Sequence, residues 1–241
     1  MPPVEQFAER LDPVLAAIYA TFVQGWDDPA GLDPRARGLA NEAIELGRLV
    51  ARAYLHESEA LGLLALMLHA NARSVARRDG ARYVPLDEQN TARWDVASID
   101  EAEMWLARAA RVNRIGRYQL EAALQSAHSA RRFGREPDWQ AIVALYDALV
   151  RFTDSPVVRV NRAVAFARVS GVRAALTELD GVAHDERLQT YQPYWAARAK
   201  LLDESGDREA AREAYSRALG LAVDPAVRDY LARCVEGVGA P

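Results

Sequence analysis

Apolar residues recur three and four positions apart in nearly every stretch of this sequence between its glycine and proline residues. That spacing places them along one face of an α-helix. Alanine, the residue that favours helices most, fills 46 of the 241 positions, while threonine, isoleucine and aromatic residues are sparse. We therefore predict an all-α fold, because the residues that favour strands are too few to build a sheet.

Residues that break helices divide the chain into segments of helical length. A turn-rich segment runs from Gly25 to Pro34, and one long irregular stretch runs from Ala81 to Asp95. Asp79 and Gly80 are expected to end the third helix, and the alternation over Arg82–Leu86 is too short to predict a strand. Between these breaks the pattern predicts helices at Gln6–Gln24, Pro34–Tyr54, Ser58–Arg78, Ser98–Val112, Arg117–Arg132, Asp138–Phe152, Ser155–Ser170, Val172–Ala183, Gln192–Ser205, Asp207–Leu221 and Pro225–Val235.

Apolar residues of matching size recur with a long period in the second half of the chain. The last unit has them at the positions expected for two crossing helices: Trp195, Ala199, Leu202, Ala211, Tyr215 and Ala218. Equivalent positions occur one unit earlier at Ala163, Phe166, Ala175, Leu179 and Val182, and before that at Ala141, Leu145 and Ala148. This spacing is typical of a helix-turn-helix repeat of the tetratricopeptide type, with units of ~34 residues. An alanine-rich bundle that matches some positions by chance is the alternative.

The repeat interpretation determines the predicted organisation of the chain. We expect a right-handed superhelical array of antiparallel helix pairs, resembling tetratricopeptide repeats, over residues 96–241. An irregular N-terminal helical part precedes it over residues 1–95, with the irregular loop at 79–95. We expect the two parts to form one continuous domain.

Charge and hydropathy exclude several classes of protein. The formal net charge is −4, so the chain lacks the basic surplus that proteins binding nucleic acid through phosphates usually carry. The longest strictly apolar run is far shorter than the ~20 residues of a membrane span, and the first residues lack the features of a signal peptide. The single cysteine, Cys234, cannot form an internal disulfide. We expect a soluble, cytoplasmic protein that binds no membrane and does not bind DNA by itself.

The sequence contains no motif for catalysis or for cofactor binding. The four histidines, His56, His69, His128 and His184, are not spaced as metal ligands on one helix face, and no cysteine cluster accompanies them. Phosphate-binding loops, dinucleotide fingerprints and nucleophile elbows are also missing. We predict no catalytic residue, no cofactor and no metal, and we place His69 and His128 at contacts between helices.

The irregular stretch carries polar residues around a tryptophan, which makes it a candidate loop site: Asp87, Gln89, Arg93, Trp94 and Asp95. A long loop of this composition persists when hydrogen bonds and an aromatic residue hold it in place. We therefore expect Trp94 to pack inside the fold, and a contact with a ligand is the alternative.

Four arginines span the end of one predicted helix and the start of the next: Arg108, Arg111, Arg114 and Arg117. Such a stripe can contact nucleic acid. Acidic residues on the same predicted helix oppose that function, among them Asp100, Glu101 and Glu103. We interpret the arginines as part of a solvated face.

A polar pair, Asn161 and Arg162, interrupts an apolar helix in the repeat region. Such a pair either caps a neighbouring helix or faces a groove. The first helices of a repeat array line its concave, partner-binding side, so the candidate groove residues are Asn161, Arg162, Trp195 and Arg198. Trp195 also occupies a packing position of its unit, and packing is its expected main role.

Several segments together resemble a known family. They are IYATFVQGW (18–26), NEAIELGRLVARAYLHESEALGLLALMLHANARSVAR (41–77), LDEQNTARWD (86–95), YQLEAALQSAHS (118–129) and DWQAIVALYDALVRFTDSPVVRVNRAVAFARVSG (138–171). In order and spacing they are similar to the C-terminal extension of bacterial extracytoplasmic-function sigma factors that carry a tetratricopeptide-like tail. The resemblance extends over nearly the whole chain, from about Leu11 to Leu221.

That resemblance implies a role in transcription initiation. Members of the family recruit RNA polymerase core through one region that melts the −10 element and a helix-turn-helix that reads the −35 element. The tail follows these regions and controls or supports them. Because this sequence shows no recognition helix of that kind, we expect an excised or separately encoded tail whose partners are the sigma regions or the polymerase core. The alternative is a stand-alone adaptor or small-molecule-sensing helical domain.

Overall fold

The computed structural model describes residues 4–26 and 38–238. Within these ranges the chain forms α1(Val4–Trp26), α2(Leu39–Ala53), α3(Ser58–Asn71), α4(Val96–Arg111), α5(Arg117–Ser129), α6(Trp139–Phe152), α7(Pro156–Ser170), α8(Val172–Val182), α9(Glu186–Gln189), α10(Gln192–Ser205), α11(Arg208–Leu221) and α12(Pro225–Gly237). The predicted all-α class is confirmed. The segment predicted to be irregular at Gly25–Pro34 lies mostly outside the described residues. Of the described helices, none has both the length and the apolar character needed to cross a bilayer.

Two compact units divide the chain. The first unit comprises residues 1–78 and 85–137, and the second comprises residues 79–84 and 138–241. The boundary expected after Asp95 falls inside the first unit, where Asp95 caps the start of α4. The repeat region expected over 96–241 therefore includes α4 and α5, which the structure groups with the N-terminal helices.

The first unit is built around α3. This helix packs against α1, α2, α4 and α5, and nearly all its residues are buried because it is apolar on every side. At Gly62 it passes so close to α5 that a Cβ atom would lie 2.6 Å from the backbone nitrogen of Gln119. Only glycine permits that distance between the two helices.

A carboxylate of α3 also holds the start of α5. Glu59 accepts hydrogen bonds from the backbone N–H groups of Tyr118 at 3.0 Å and Gln119 at 3.1 Å. These donors have no partner within their own helix, and a buried helix start needs such acceptors. Burial raises the pKa of Glu59, and the hydrogen bond from the Tyr118 backbone opposes that increase.

The end of α3 differs from the prediction. The helix ends at Asn71, seven residues before the predicted end, and a 3-10 turn follows at Ser74–Arg77. The backbone N–H of Asp95 donates to the Ala72 carbonyl at 2.9 Å, so this loop contact replaces a continuing helical bond. The prediction of no strand was also wrong, since β1(Arg78–Asp79) and β2(Arg82–Tyr83) form a short hairpin.

The second unit consists of helices that pack on their neighbours in sequence. Contacts join α6 to α7, α7 to α8, α8 to α10, α10 to α11 and α11 to α12. Small residues predicted to lie at close crossings are fully buried: Ala163, Ala175, Ala199, Ala211 and Ala218. This burial agrees with the predicted repeat positions in the last two units. The tetratricopeptide-like superhelical arrangement remains a prediction.

Two details of the second unit were not predicted. In α6, Ala141 is exposed, whereas Ile142 and Leu149 are buried. The predicted face of α6 was therefore rotated by one residue, because the larger side chains take the side that packs inward. The short helix α9 was missed, since its four residues are too few to show a helical period.

Candidate functional site

Arg162, one of the predicted groove residues, joins three consecutive helices of the second unit. Its Nε donates to Asp147 of α6 at 2.6 Å, and its Nη1 donates to Glu178 of α8. The side chain is largely buried, and its guanidinium lies 5.2 Å from the ring centre of Phe166. The arginine is thus held by internal partners.

Arg198 has a similar but smaller set of contacts. It donates to Asp180 of α8 at 2.7 Å. Glu178 and Asp180 are two positions apart, and residues at that spacing point to different sides of a helix. The carboxylates of α8 therefore bind Arg162 and Arg198 on different sides of that helix. These ion pairs do not place the two arginines on one common surface.

Trp195 and Asn161 differ in their surroundings. Trp195 is half-buried, donates from Nε1 to the Gln189 carbonyl at 3.2 Å and lies 3.8 Å beneath the guanidinium of Arg217. Asn161 lies exposed on α7, and its amide has no hydrogen bond to any residue that the structure describes. Of the four predicted groove residues, Asn161 has the side chain most accessible to a partner.

The predicted loop site has a structural core at Trp94. The indole is 3% exposed and packs with Ala72, Ala76 and Ile99. Its Nε1 donates to the Gln89 side chain at 3.3 Å. The tryptophan therefore anchors the irregular stretch in the first unit.

The other loop residues surround this anchor. Arg93 donates to the Arg78 carbonyl at 2.8 Å, and Asp95 caps α4 through the backbone and hydroxyl of Ser98 at 3.2 and 2.7 Å. These bonds, the hydroxyl of Ser98 first, lower the pKa of Asp95. Asp87 lies exposed in a 3-10 turn. The structure joins Gln89 to Trp94 by a hydrogen bond, and Asp95 supports the end of the loop at the start of α4.

A groove in the first unit was not predicted. It has a volume of about 870 Å³, opens to solvent, and is formed by α4 and the turn between α2 and α3: Leu55, His56, Met104, Trp105, Ala107, Arg108, Arg111 and Val112. We call it the α4 groove. Most of its lining is apolar, and Met104 is 57% exposed. An exposed methionine beside other apolar residues is typical of adaptable binding surfaces.

Charge around the α4 groove is unbalanced. Glu101 binds Arg48 through two hydrogen bonds of 2.9 and 2.6 Å, and these lower the pKa of the carboxyl. Glu57 lies 3.7 Å from Arg114. Neither Arg108 nor Arg111 has an ion pair or a side-chain hydrogen bond among the described residues. Both are exposed, as the sequence predicted, but they border a concave apolar surface rather than a simple solvated face.

The sequence contained a signal for this groove. Met104, Arg108 and Arg111 are spaced by four and three residues, which puts them on one face of α4. The opposite face carries the buried residues Ala102 and Ala109. The prediction grouped the arginines only with one another, although Met104 lies one turn before Arg108 on the same face.

Polar groups are also buried between α3 and α5. The Nδ1 of His69 lies 3.4 Å from the Ser129 hydroxyl, and its Nε2 lies 3.5 Å from a Glu103 oxygen. Burial, with the nearby charge of Arg73, lowers the pKa of His69 to about 3 and that of His128 to about 4. Arg73 binds the Gln125 side chain and faces the Trp94 ring at 5.9 Å. Both histidines lie within the packed unit as neutral groups.

Comparisons with known proteins indicate relatives but no function. Residues 10–110 match the model of a family of unknown function, DUF6596. That segment begins within α1, ends in the last turn of α4 and includes the predicted loop site. No solved structure matches the chain.

An uncharacterized protein of Rhizobium meliloti (strain 1021) is similar over a longer range. It is 37% identical over 225 residues, which cover 93% of this chain and 53% of the relative. The chain thus spans about half the length of this relative. The similarity extends over both units, beyond the segment that the family model matches.

Proposed function

We propose that this chain is the regulatory, protein-interaction domain of an extracytoplasmic-function sigma factor. The resemblance of segments in both halves of the chain supports the proposal. A relative with about half its length outside the matched region is compatible with it, because that length has room for promoter-binding regions.

The observation that carries the proposal is the packing of the second unit. Consecutive helices cross at fully buried alanines, among them Ala163, Ala199 and Ala211. In repeat arrays each unit packs mainly on its neighbours, and the curved stack of units presents an extended concave surface that binds partners. An interaction role is therefore the function that this packing supports best.

In this proposal the partners are the promoter-binding regions of the sigma factor, the polymerase core, or both. The domain acts through protein contacts, without catalysis or a cofactor and without contacting DNA by itself. Such a role would place it in the cytoplasm, where bacterial transcription takes place.

Copurification provides the first test. The full chain would be mixed with the promoter-binding regions of the sigma factor encoded with it, and with core polymerase. We expect a stable complex in gel filtration and altered transcription from the cognate promoter. Absence of binding to both would contradict the proposal and favour a stand-alone adaptor or a small-molecule sensor. A gel shift with the chain alone should show no sequence-specific binding of duplex DNA.

A pair of variants then tests the predicted groove. Asn161→Ala combined with Arg198→Ala should weaken the complex while leaving thermal unfolding nearly unchanged. The matched control is Asp180→Ala, which breaks the Arg198 ion pair but keeps the arginine. If the control weakens the complex as much as the double variant, Arg198 acts by supporting α8 and not by recognition.

A further inference from the structure

We propose that the α4 groove binds an amphipathic helix of a partner protein, and that acidic residues of that helix pair with Arg108 and Arg111. The inference does not depend on the sigma-factor proposal. It rests on the shape of the groove, its apolar lining and the two arginines, which have no ion pair with any residue that the structure describes.

The apolar lining fits a helix better than an extended chain. The groove follows the exposed face of α4, with Leu55, Trp105 and Val112 among its lining residues. In the described part of the chain, no strand with unpaired backbone groups borders the groove. An extended peptide would therefore gain no backbone hydrogen bonds of the kind that a sheet edge offers. Helices dock in such grooves through apolar side chains at positions i, i+3 or i+4, and i+7. Met104 can adapt to these side chains because its thioether is flexible.

The arginines determine the charge of the partner. Arg108 and Arg111 are separated by three residues and project from about one turn of α4. The nearby carboxylates of Glu57 and Glu101 are already engaged with Arg114 and Arg48. Two carboxylates at the same spacing on a docked helix would therefore meet two guanidiniums for which no described carboxylate competes.

Other occupants fit the groove less well. Sites for small molecules bury most of the ligand, whereas this groove is open to solvent. Membrane binding needs apolar side chains that protrude, and these line a concave surface. Duplex nucleic acid needs a continuous basic surface, but the ion pairs Glu101–Arg48 and Glu57–Arg114 interrupt the basic surface beside the arginines.

The test uses a phage-displayed library of amphipathic helical peptides with randomised polar positions, selected on the full chain. We expect the enriched peptides to carry Asp or Glu three or four positions apart beside apolar anchors. Their affinity should fall at least tenfold for R108E/R111E and less for R108Q/R111Q. Replacing the acidic residues of a selected peptide by Lys should restore binding to R108E/R111E.

Two further variants separate the effect of the groove on peptide binding from the effect of the overall charge of the chain. R135E/R151E changes two other exposed arginines by the same amount and should retain the affinity of the parent chain. A107F places a ring in the groove at an exposed position and should weaken binding without changing charge. The melting temperature of each variant is measured to check that the variant is folded.

Several outcomes would overturn the proposal. They are a selection that enriches no helix, enriched peptides that are neutral or basic, and equal affinity for the parent chain and R108E/R111E. Vesicles of anionic phospholipid and duplex DNA complete the comparison. Binding of either one that exceeds peptide binding and is lost in R108E/R111E assigns the arginines to that surface instead.

Discussion

The two units of this chain use the same helical building blocks in different ways. In the first, α3 is apolar on all sides and lies among four other helices, with which it forms the large cluster of the unit, while a separate small cluster surrounds Trp94. In the second, each helix packs mainly on its sequence neighbours, and the described buried residues fall into smaller clusters. The first unit is thus organised around one central helix, and the second as a series of helices that each pack on the next.

This difference changes where stability resides. Removing an α3 contact disturbs the interface with several helices at once, whereas a change in the second unit affects the neighbouring pair. Ion pairs join helices in both units, through Arg48 and Glu101 in the first and through Arg162 and Arg198 in the second. The first unit also buries His69 and Arg73 inside its packing.

The largest expected effect comes from shortening a central side chain of α3. Leu64 is 0% exposed, and Leu64→Ala should lower the free energy of unfolding by roughly 2–5 kcal/mol through lost burial and a cavity. Urea unfolding combined with hydrogen exchange measures it. We expect amide protection to fall throughout the first unit and to persist in the second.

The same replacement at a surface position is the control. Leu49 on α2 is 63% exposed, and Leu49→Ala should change stability by less than about 0.5 kcal/mol. Equal loss of protection in both units after Leu64→Ala would show that they unfold together, and the contrast between them would then not extend to stability.

Acid should destabilise the first unit through His69, which is buried, and His128, which is partly buried. Their pKa is about 3 for His69 and about 4 for His128 in the fold, below the ordinary 6.5. At a pH between the folded and the unfolded pKa, the unfolded chain binds protons that the folded chain excludes. The contribution of the neutral histidines to stability is therefore fully present above pH ~6.5 and decreases as the pH falls. At pH 5 the loss is about 2 kcal/mol for each histidine.

Unfolding at several pH values checks this expectation. H69Q and H128Q should each reduce the slope of stability against pH between about 4.5 and 6.5, since each removes one titrating group. Imidazole NMR signals provide a direct measurement. Signals of both residues that titrate in the folded chain at the ordinary pKa would contradict the assignment.

The fold class and most helix bounds could be predicted because helical periodicity is a local property. The end of α3 could not, since the Asp95–Ala72 hydrogen bond that replaces its next turn joins residues distant in sequence. The Asp79–Gly80 pair was a correct turn signal assigned to the wrong element: Gly80 has a φ of 58°, and it turns a hairpin rather than ending a helix. Aspartate followed by glycine serves both functions.

A third effect tests the packing of the second unit. Ala199 is 0% exposed in a cluster with Ala211 and Ala218, so Ala199→Leu should overfill the crossing of α10 and α11 and cost roughly 1–3 kcal/mol. Ala144→Leu, on the exposed side of α6, is the matched control and should be nearly neutral. An unchanged melting temperature for Ala199→Leu would show that the predicted repeat register is wrong.

The candidate sites were less predictable than the fold. Sequence could place Asn161 and Arg162 together on one helix, but it could not show that Asp147 and Glu178 hold the arginine. These partners lie on neighbouring helices, and their approach depends on packing. For Trp94 the residue type alone was informative, because a tryptophan in a polar loop usually packs into a core.

The smallest effect separates the two polar neighbours on α7. Asn161→Ala replaces an exposed residue of modest helix propensity by the best helix former, and should raise stability by about 0.5 kcal/mol. Arg162→Ala removes ion pairs to α6 and α8 and should lower stability by about 1 kcal/mol. Chemical unfolding of both variants and of the double variant resolves the opposite signs. A loss of stability in Asn161→Ala would mean that the amide supports the fold, and would contradict the prediction that Asn161 is free to contact a partner.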